Sequence, residues 1–268
     1  MVIDFHTHIF PPRIAGAAIN SLESTSGLKA YADATLDGLM ESMKYGGVDI
    51  SVVLPVVTNT RQVYAVNDYI ISLKDTDKLI CFGGIHPCMT DYKSEIKRIK
   101  AAGLRGIKMH PDFVRTFADD NKMADVINAA TQEGLPVILH GGADASFQDY
   151  VRCTPDMIAR LLPKIPDAKL ICAHLCGYTY FDRLLLHMDE FIKFGLYFDV
   201  ATVLRIPKKR ELSQILSHCD PSHILFGTDF PWENPKTELE ALDALDISEQ
   251  YKENIKWKNA AKLLEINL

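Results

Sequence analysis

The stretch that decides the fold is Val2-Ile3-Asp4-Phe5-His6-Thr7-His8, in which apolar and polar side chains alternate. Successive side chains of a β-strand point to opposite faces, so Asp4, His6 and His8 are predicted to share one face. The two histidines would lie about 7 Å apart at Cα, and their imidazoles could converge on one metal ion. A coincidental pair of histidines at a strand end is the alternative, and the remaining sequence has to decide between the two.

Short segments rich in Val, Ile, Leu and Phe recur along the chain and end in polar residues or glycine. Helical patterns lie between them; Leu36, Leu39, Met40 and Met43, for example, have the spacing of a helix with one apolar face. Eight strands that alternate with helices predict an α/β fold, a single-domain (β/α)8 TIM barrel over residues 1–268. The predicted strands are residues 2–8, 50–56, 79–85, 106–110, 136–141, 170–175, 196–202 and 224–230.

A doubly wound open sheet is the rival architecture. It would need a glycine-rich phosphate-binding turn after the first strand, but that position holds Ile9-Phe10-Pro11-Pro12. The longest connection without predicted structure, residues 9–33, follows there, and it is either a lid over the barrel end or a peripheral flap. Predicted helices include residues 63–73, 124–133, 181–194 and 236–245, with further starts at Asp91, Thr154 and Pro207.

Composition and charge exclude several classes of function. The 268 residues are 47% apolar and 24% charged, with a net charge of −6, which argues against nucleic acid and anionic membranes as partners. No apolar run reaches the roughly 18 residues of a membrane span, and no basic start precedes an apolar stretch, so we expect no signal peptide. The six cysteines show no pair spaced as in zinc ribbons or redox sites, which predicts reduced thiols in a cytoplasmic protein.

Histidines are concentrated at the predicted strand ends. Catalytic groups of TIM barrels come from the carboxyl ends of the strands, and six of the nine histidines lie there, whereas random placement would spread them over the chain. This clustering favours metal binding. The six are His6, His8, His86, His110, His140 and His174.

Two of the strand ends carry further candidate ligands. His140 follows Val137-Ile138-Leu139 and precedes two glycines that permit a close approach, which favours a metal ligand over a strand-end cap. Asp229 follows an apolar run, and a carboxylate in that position needs a cation or several hydrogen-bond donors. We therefore predict Asp229 to be a metal ligand or a general base.

The fourth and sixth strands end in groups with more than one candidate role. His174 is predicted to be a catalytic or second-metal group, with the thiols of Cys172 and Cys176 as packing. Lys108 and His110 share a strand face as predicted substrate-binding residues. Lys108 could be carbamylated and bridge two metal ions, or it could bind a substrate carboxylate as an ammonium group.

Four residues are assigned to the surroundings of the site. Asp4 is predicted to support the geometry of the histidines from one step deeper in the barrel, and Asp199 to hold a histidine in place. His86, before a proline, is a candidate for the rim or for a supporting contact. Arg61 is a candidate for binding an anionic substrate group, although a solvated surface arginine is the commoner outcome.

The motifs, taken in order, resemble those of the amidohydrolase superfamily, and most closely its amidohydrolase-related branch, which includes aminocarboxymuconate semialdehyde decarboxylase. The resemblance covers nearly the full chain, and Asn259-Ala260-Ala261-Lys262-Leu263-Leu264 looks like the terminal helix of that branch. The segments that carry it are Ile3-Asp4-Phe5-His6-Thr7-His8, Gly106-Ile107-Lys108-Met109-His110-Pro111, Val137-Ile138-Leu139-His140, Ile171-Cys172-Ala173-His174 and Leu225-Phe226-Gly227-Thr228-Asp229-Phe230-Pro231.

The resemblance implies that His6, His8, His140 and Asp229 bind the metal, and that His174 contacts the substrate or the attacking water. If a second ion binds, Lys108 and His174 would be its ligands. TatD-like nucleases are similar in size, but their strand-four glutamate is missing here, and the acidic net charge also argues against DNA.

The expected function is therefore metal-dependent hydrolysis of a small molecule. One divalent ion, expected to be zinc, would activate a water that attacks an ester, lactone or amide, with Asp229 as the proton acceptor. The alternative is a non-oxidative decarboxylase of an unsaturated or aromatic carboxylic acid; such relatives are generally longer chains, which favours hydrolysis. A barrel that binds metal only for structure or sensing is a third hypothesis. The oligomeric state stays open, with a homodimer as one alternative.

Overall fold

The computed structural model describes residues 1–147, 150–205 and 209–266, in which short parallel strands alternate with helices. All eight predicted strand positions are occupied, but each observed strand is shorter than predicted or, at residues 79–85, divided in two. The strands are β1 (Ile3–Thr7), β2 (Ile50–Val53), β3 (Leu79–Cys81), β4 (Gly83–Gly84), β5 (Ile107–Met109), β6 (Val137–Leu139), β7 (Leu170–Cys172), β8 (Tyr197–Asp199) and β9 (Ile224–Leu225).

The strands close into a barrel. They pair in parallel as β1-β2-β3 and as β4-β5-β6-β7-β8-β9, and β3 and β4 are the two halves of the third predicted strand, separated by Phe82. The ring closes where Phe5 N–H donates to Phe226 O at 2.8 Å and His8 N–H donates to Phe230 O at 2.7 Å. The predicted (β/α)8 TIM barrel is confirmed.

The core has two parts, one inside the barrel and one between the strands and the helices. Phe5 and Phe82 meet edge to face at 5.7 Å between ring centroids, although β2 lies between their strands, so both rings point into the barrel. The same buried cluster contains Ile138, Ile171 and residues of the last helix. The larger cluster joins the outer strand faces to the surrounding helices.

The described helices surround this barrel. Their ranges are α1 (Pro12–Ser26), α2 (Leu36–Gly46), α3 (Val63–Leu73), α4 (Tyr92–Ala101), α5 (Asn121–Gln132), α6 (Pro155–Leu161), α7 (Phe181–Leu186), α8 (Met188–Lys193), α9 (Lys209–His218), α10 (Pro235–Asp243), α11 (Glu249–Glu253) and α12 (Asn259–Leu263), with a π-helical turn between the last two.

The expectation that residues 9–33 have no regular structure is wrong, because α1 forms there. Pro12 lies in the first turn, where a missing N–H is tolerated, and Gly27 ends the helix in a left-handed conformation at φ 73°. Ala15 and Ile19 are the buried residues of this helix. The signals at both ends of the helix, Pro12 and Gly27, were present in the sequence.

Two other helix predictions change. The helix predicted at residues 181–194 is divided into α7 and α8 at His187, whose Nε2 lies 2.9 Å from Oδ1 of Asp156. The start predicted at Pro207 lies outside the described residues, and α9 is described from Lys209. All six cysteines are free. Among the described residues, no helix combines the length and apolar character that crossing a membrane requires.

Candidate metal centre and its cavity

Three side chains meet at the carboxyl ends of β1 and β9. Nε2 of His6 lies 3.1 Å from Nε2 of His8 and 3.3 Å from Oδ1 of Asp229, and that oxygen lies 3.1 Å from Nε2 of His8. Ligand atoms around a tetrahedral ion with bonds of about 2.0–2.1 Å lie about 3.3 Å apart. The triangle of two nitrogens and one oxygen therefore has the size of one face of such a coordination shell.

The other ring nitrogens of the two histidines are held by acceptors. Nδ1 of His6 lies 2.8 Å from Oδ2 of buried Asp199, and Nδ1 of His8 lies 2.6 Å from Leu54 O. Each Nδ1 is therefore assigned as the protonated donor, which leaves an unprotonated Nε2. Burial and the neighbouring charge of Lys108 hold the pKa of His6 well below its usual value, so the His6 imidazole is neutral.

Asp229 supplies the negative charge of the triangle. Burial alone would raise the pKa of its carboxyl, but the adjacent imidazole of His8 and the nearby side chains of His174 and Lys108 outweigh burial, and the net pKa is lowered. Its backbone lies in the left-handed region at φ 58°, which is costly for a residue other than glycine. The carboxylate is thus anionic and held in place by a strained backbone.

Lys108 lies beside this triangle and not on the wall of the neighbouring cavity. Its Nζ is 3.3 Å from Nε2 of His6, its side chain is buried, and burial lowers the pKa of its ammonium group. The nitrogen is thus placed at the candidate metal centre. The carbamylated, metal-bridging form and the free ammonium both remain predictions.

His174 reaches the same region through an unusual turn. His174, Leu175 and Cys176 all have left-handed backbones, with φ of 56°, 53° and 54°, directly after β7. The His174 ring lies 5.0 Å from the His6 ring, and its Nδ1 is 2.9 Å from Ala201 O, which leaves Nε2 without a proton. Burial raises the pKa of the Cys172 thiol well above its usual value, so this sulfur is not a ready thiolate ligand.

His140 is not brought into the triangle. Its Nε2 lies 4.0 Å from Oδ2 of Asp144, and the same oxygen lies 3.1 Å from Nε2 of His110. The His110 and His140 rings are stacked, with centroids 4.0 Å apart. The two glycines after His140 serve protein packing, since a Cβ on Gly141 would meet Cys172 Sγ at 2.7 Å and one on Gly142 would meet the Tyr178 backbone at 2.5 Å.

Three supporting predictions have different outcomes. Asp4 accepts hydrogen bonds from the backbone N–H of His6 and from Thr228. The pairing register of β1 shifts between Asp4 and Thr7, so the side chains from Asp4 to His8 do not keep the regular two-residue alternation of a strand. His86 accepts from Cys88 N–H at 3.1 Å and does not line the cavity. Arg61 is exposed in a short helical turn and does not line the cavity either, because its neighbours Thr58 and Gln62 occupy that wall.

The triangle opens into a cavity of about 660 Å³. One wall is apolar and includes residues of α1, so the segment predicted as a lid or flap covers the site. Within the part of the chain that the structure describes, no lysine or arginine lines this cavity. The apolar and aromatic lining includes Phe10, Ile19, Leu22, Phe113, Tyr178 and Trp232, and the polar lining includes His8, His110, His140, Asp144, His174 and Asp229.

These groups fit a divalent metal ion. Two neutral imidazoles and one anionic carboxylate are a usual donor set for zinc, manganese or iron. The hydrogen bond that Nδ1–H of His6 donates to Asp199 matches the way carboxylates orient metal-binding histidines. Nε2 of His140 is buried without a hydrogen-bond partner, and three ligands from the triangle leave positions for further ligands.

Several lining residues were missed by the sequence interpretation. Asp144, four residues after His140, and Trp232, three residues after Asp229, follow strand ends but carry no motif of their own. The α1 residues were missed because their segment was not predicted to be helical. Proximity to a strand end was the signal that could have indicated Asp144.

Comparisons with known proteins agree with this architecture. A family model described as amidohydrolase matches residues 3–266. A search of curated proteins finds no match. An uncharacterized TIM-barrel protein from Bordetella bronchiseptica is 21% identical with a TM-score of 0.76, covering 98% of both chains.

Two similar structures are decarboxylases. A 2,6-dihydroxybenzoate decarboxylase from Rhizobium is 14% identical with a TM-score of 0.75, covering 99% of this chain and 98% of that one. A 5-carboxyvanillate decarboxylase from Novosphingobium aromaticivorans, solved with bound manganese, is 14% identical with a TM-score of 0.75, covering 99% and 97%. At a sequence identity of 14%, the structural similarity to these two proteins shows a shared fold alone.

Proposed function

Since the chain belongs to the amidohydrolase family, we propose that it is a metal-dependent carboxy-lyase that removes CO₂ from a small unsaturated or aromatic carboxylic acid. The observation that carries this proposal is the triangle of His6, His8 and Asp229 at the base of a cavity with aromatic walls. The triangle provides a place for a metal and an acid–base group, and the walls suit a flat substrate.

His6, His8 and Asp229 would hold the ion, and His140 would join them if its ring turned away from Asp144. A bound divalent ion supplies positive charge for the substrate carboxylate, which the cavity wall itself lacks in the described residues. Zinc and manganese both suit this donor set, and we propose to test both.

Asp229 is the group placed to move the proton. Its carboxylate would accept a proton from an acidic hydroxyl of the substrate or from solvent and deliver it to the carbon that carries the carboxylate. A C–H bond then forms, the C–C bond breaks, and its electron pair returns to the unsaturated system as CO₂ leaves. The net change is RCOO⁻ plus H⁺ to RH plus CO₂, and such proton transfer typically contributes about 10²–10⁴-fold to the rate.

The remaining residues orient the substrate. Phe113, Tyr178 and Trp232 provide flat surfaces for a conjugated acid. The relatives that act on aromatic acids support this substrate class. Chain length does not favour hydrolysis, because the similarity extends over 97–98% of the two decarboxylase chains.

Hydrolysis of an ester or lactone is the second candidate. The observation that favours it is the lowered pKa of Asp229, since an anionic carboxylate beside a metal site can accept the proton of an attacking water. The aromatic walls and the acid-processing relatives favour decarboxylation over it.

A direct test measures CO₂ and protons on the same samples. Protein loaded with zinc or manganese is incubated with a panel of hydroxy- and methoxybenzoates and of lactones, and CO₂ is measured in the acidified headspace. CO₂ release from an acid is the expected result. Proton release from a lactone, with no CO₂ from any acid, would replace the carboxy-lyase by the hydrolase.

The variant Asp229→Asn tests the proton-transfer role. We expect turnover to fall about 10²–10⁴-fold while much of the metal is retained, because the amide keeps one oxygen ligand but cannot carry the proton. Asp125→Asn, which removes a carboxylate from the exposed face of α5, is the matched control. Full activity in the Asp229→Asn variant would contradict this role.

A further inference from the structure

The cavity is larger than an acid with one ring needs. Its volume is about 660 Å³, which at about 30 Å³ for each water-sized group gives room for roughly 20 groups, about twice the number of non-hydrogen atoms in a hydroxybenzoate. A one-ring acid bound at the triangle would therefore leave part of the cavity for a further substituent.

Polar and apolar groups of the cavity wall come from different elements. Every imidazole and carboxylate of the described lining follows the end of a strand, as His8 follows β1 and Asp229 follows β9. Helix α1, all of which the structure describes, contributes none of them. Its lining side chains are those of Ala18, Ile19, Ser21, Leu22 and Ser26. The cavity thus has a polar side that contains the candidate metal centre and an apolar side at α1.

Few polar atoms of α1 are available to a ligand. The Glu23 carboxylate accepts from Lys29 Nζ at 2.6 Å and does not line the cavity. The Ser26 hydroxyl does line it, but donates to Leu22 O at 2.7 Å within the helix. Ser21 is the remaining polar side chain of α1 on this wall, and it is exposed. An apolar group therefore fits the α1 side better than a charged one.

The α1 side is a fixed part of the cavity. Phe10 N–H donates to Ala34 O at 2.8 Å, which joins the two ends of the segment that contains α1. Tyr31 N–H donates to Pro231 O at 2.7 Å, and Pro231 lines the cavity beside Trp232. The segment is therefore held at a set position relative to the loop that follows β9 and to the candidate metal centre.

We propose that the α1 side of the cavity is a subsite for an apolar substituent of the substrate, an alkyl chain or a second ring attached to the unsaturated acid. The carboxylate would lie at the candidate metal centre, and the substituent would pack against Ile19 and Leu22. This deepens the proposed function and rests on it, since the acid is placed by its carboxylate. Burial of the substituent removes apolar surface from water, which favours binding.

The test measures how binding of an acid to the metal-loaded protein depends on the length of its substituent. Calorimetry is performed with benzoate, with its 3- and 4-methyl, ethyl, propyl and butyl derivatives, and with the 3- and 4-(3-hydroxypropyl) acids, which match the butyl acids in length. In one series we expect each added methylene to tighten binding about two- to fourfold, as burial of a CH₂ group implies. The hydroxypropyl acid should bind at least about fivefold more weakly than the butyl acid, because burial of its hydroxyl without a partner is unfavourable.

Two variants of Leu22 change the subsite in opposite ways. Leu22→Ala should weaken binding of the butyl acid about 3- to 10-fold and leave that of benzoate within about twofold, because only the longer acid reaches this side chain. Leu22→Trp, which fills the same space, should lower the affinity for the butyl acid to that for benzoate. Ile14→Ala, at an exposed position of α1 outside the cavity, is the matched control and should leave both affinities unchanged. Melting temperature and metal content show whether each variant is folded.

The possible outcomes separate the subsite from the reaction. Equal binding of all chain lengths to the wild type, equal binding of the butyl and hydroxypropyl acids, no binding of any acid, or a Leu22→Ala variant that behaves like Ile14→Ala overturns the subsite. Binding that depends on chain length, without CO₂ release from any acid, would overturn the carboxy-lyase and leave the subsite standing. CO₂ release from an acid with no effect of chain length would do the reverse.

Discussion

At the scale of single residues, His6 connects the candidate metal centre to the barrel. Its Nε2 faces His8, Asp229 and Lys108 at 3.1–3.3 Å, while its Nδ1 is bonded to Asp199 on β8. The Asp199 carboxylate also accepts from the backbone N–H of His174 at 2.9 Å, so one buried group orients two histidines.

Replacing Asp199 by Asn should therefore weaken metal binding. The amide can no longer act as an anionic acceptor for Nδ1–H, and the orientation and basicity of His6 suffer. We expect a loss of about 10–100-fold in metal affinity, the usual cost of losing such a supporting group. Competition with a chromophoric chelator measures this, with Asp125→Asn as control. An unchanged dissociation constant would show that Asp199 does not support the ligand.

The sequence predicted some of these residues better than others. His6, His8 and Asp229 were predicted because strand ends gather at one rim, and the structure brings them within 3.3 Å. Arg61 also follows a strand, but it lies in an exposed turn. The pairing of His140 with Asp144 depends on the conformation of a loop, which no sequence pattern indicated.

At the scale of elements, α1 forms one wall of the cavity. Ile19 and Leu22 line the cavity, while Ile14 on the same helix is 44% exposed and does not. The helix therefore presents apolar side chains both to the cavity and to solvent.

Shortening Leu22 should affect substrate binding more than turnover. We expect Leu22→Ala to raise KM about 3- to 10-fold, because apolar contact with the substrate is lost, and to leave kcat within about twofold. Ile14→Ala is the matched control on the same helix and should leave both constants unchanged. If Leu22→Ala behaves like the control, α1 does not contact the substrate.

The buried face of α10 contains a carboxyl group, that of Glu238, whose ionisation is energetically unfavourable in the folded protein. Glu238 is fully buried, its oxygens have no hydrogen-bond partner, and Arg205 Nε lies 3.3 Å from Oε1. Burial, followed by the nearby charge of Glu233, raises the pKa of Glu238 to about 7. The folded protein therefore favours the protonated form.

This raised pKa predicts a stability that falls as pH rises. Below pH 4.5 the Glu238 carboxyl is protonated in both the folded and the unfolded states. Between pH 4.5 and about 7 only the unfolded chain loses this proton, so the free energy of unfolding decreases by roughly 3 kcal/mol over that range. Glu238→Gln should lack this loss and melt higher than wild type at pH 8. Exposed Glu240→Gln is the control, and an identical pH dependence in Glu238→Gln and wild type would contradict the assignment.

At the scale of the whole molecule, the barrel holds the site without needing the metal for its core. The interior cluster and the ring of strand pairs form from apolar side chains and backbone hydrogen bonds. Metal binding should add stability by binding only the folded state, and we expect the fold itself to form without the metal.

Metal removal should thus abolish activity and keep the fold. After dialysis against a chelator we expect turnover to fall more than about 100-fold and the melting temperature to fall, while the circular dichroism spectrum stays unchanged. Manganese or zinc should restore both turnover and the melting temperature. Elemental analysis of protein purified without chelator should find one ion per chain. Two ions per chain would make Lys108 and His174 ligands and contradict the single-ion centre, and full activity of the metal-free protein would contradict metal dependence.

The sequence by itself determined the barrel and the rim on which the chemistry lies. Alternating apolar segments specify strands and helices locally, and parallel strands place all their carboxyl ends at one edge, so residues as distant as His6 and Asp229 could be assigned to one site. Only the tertiary structure decided that His140 faces Asp144, that α1 covers the cavity and that Arg61 stays outside. Those contacts depend on loop conformations and on packing between segments far apart in the chain, which no local pattern encodes.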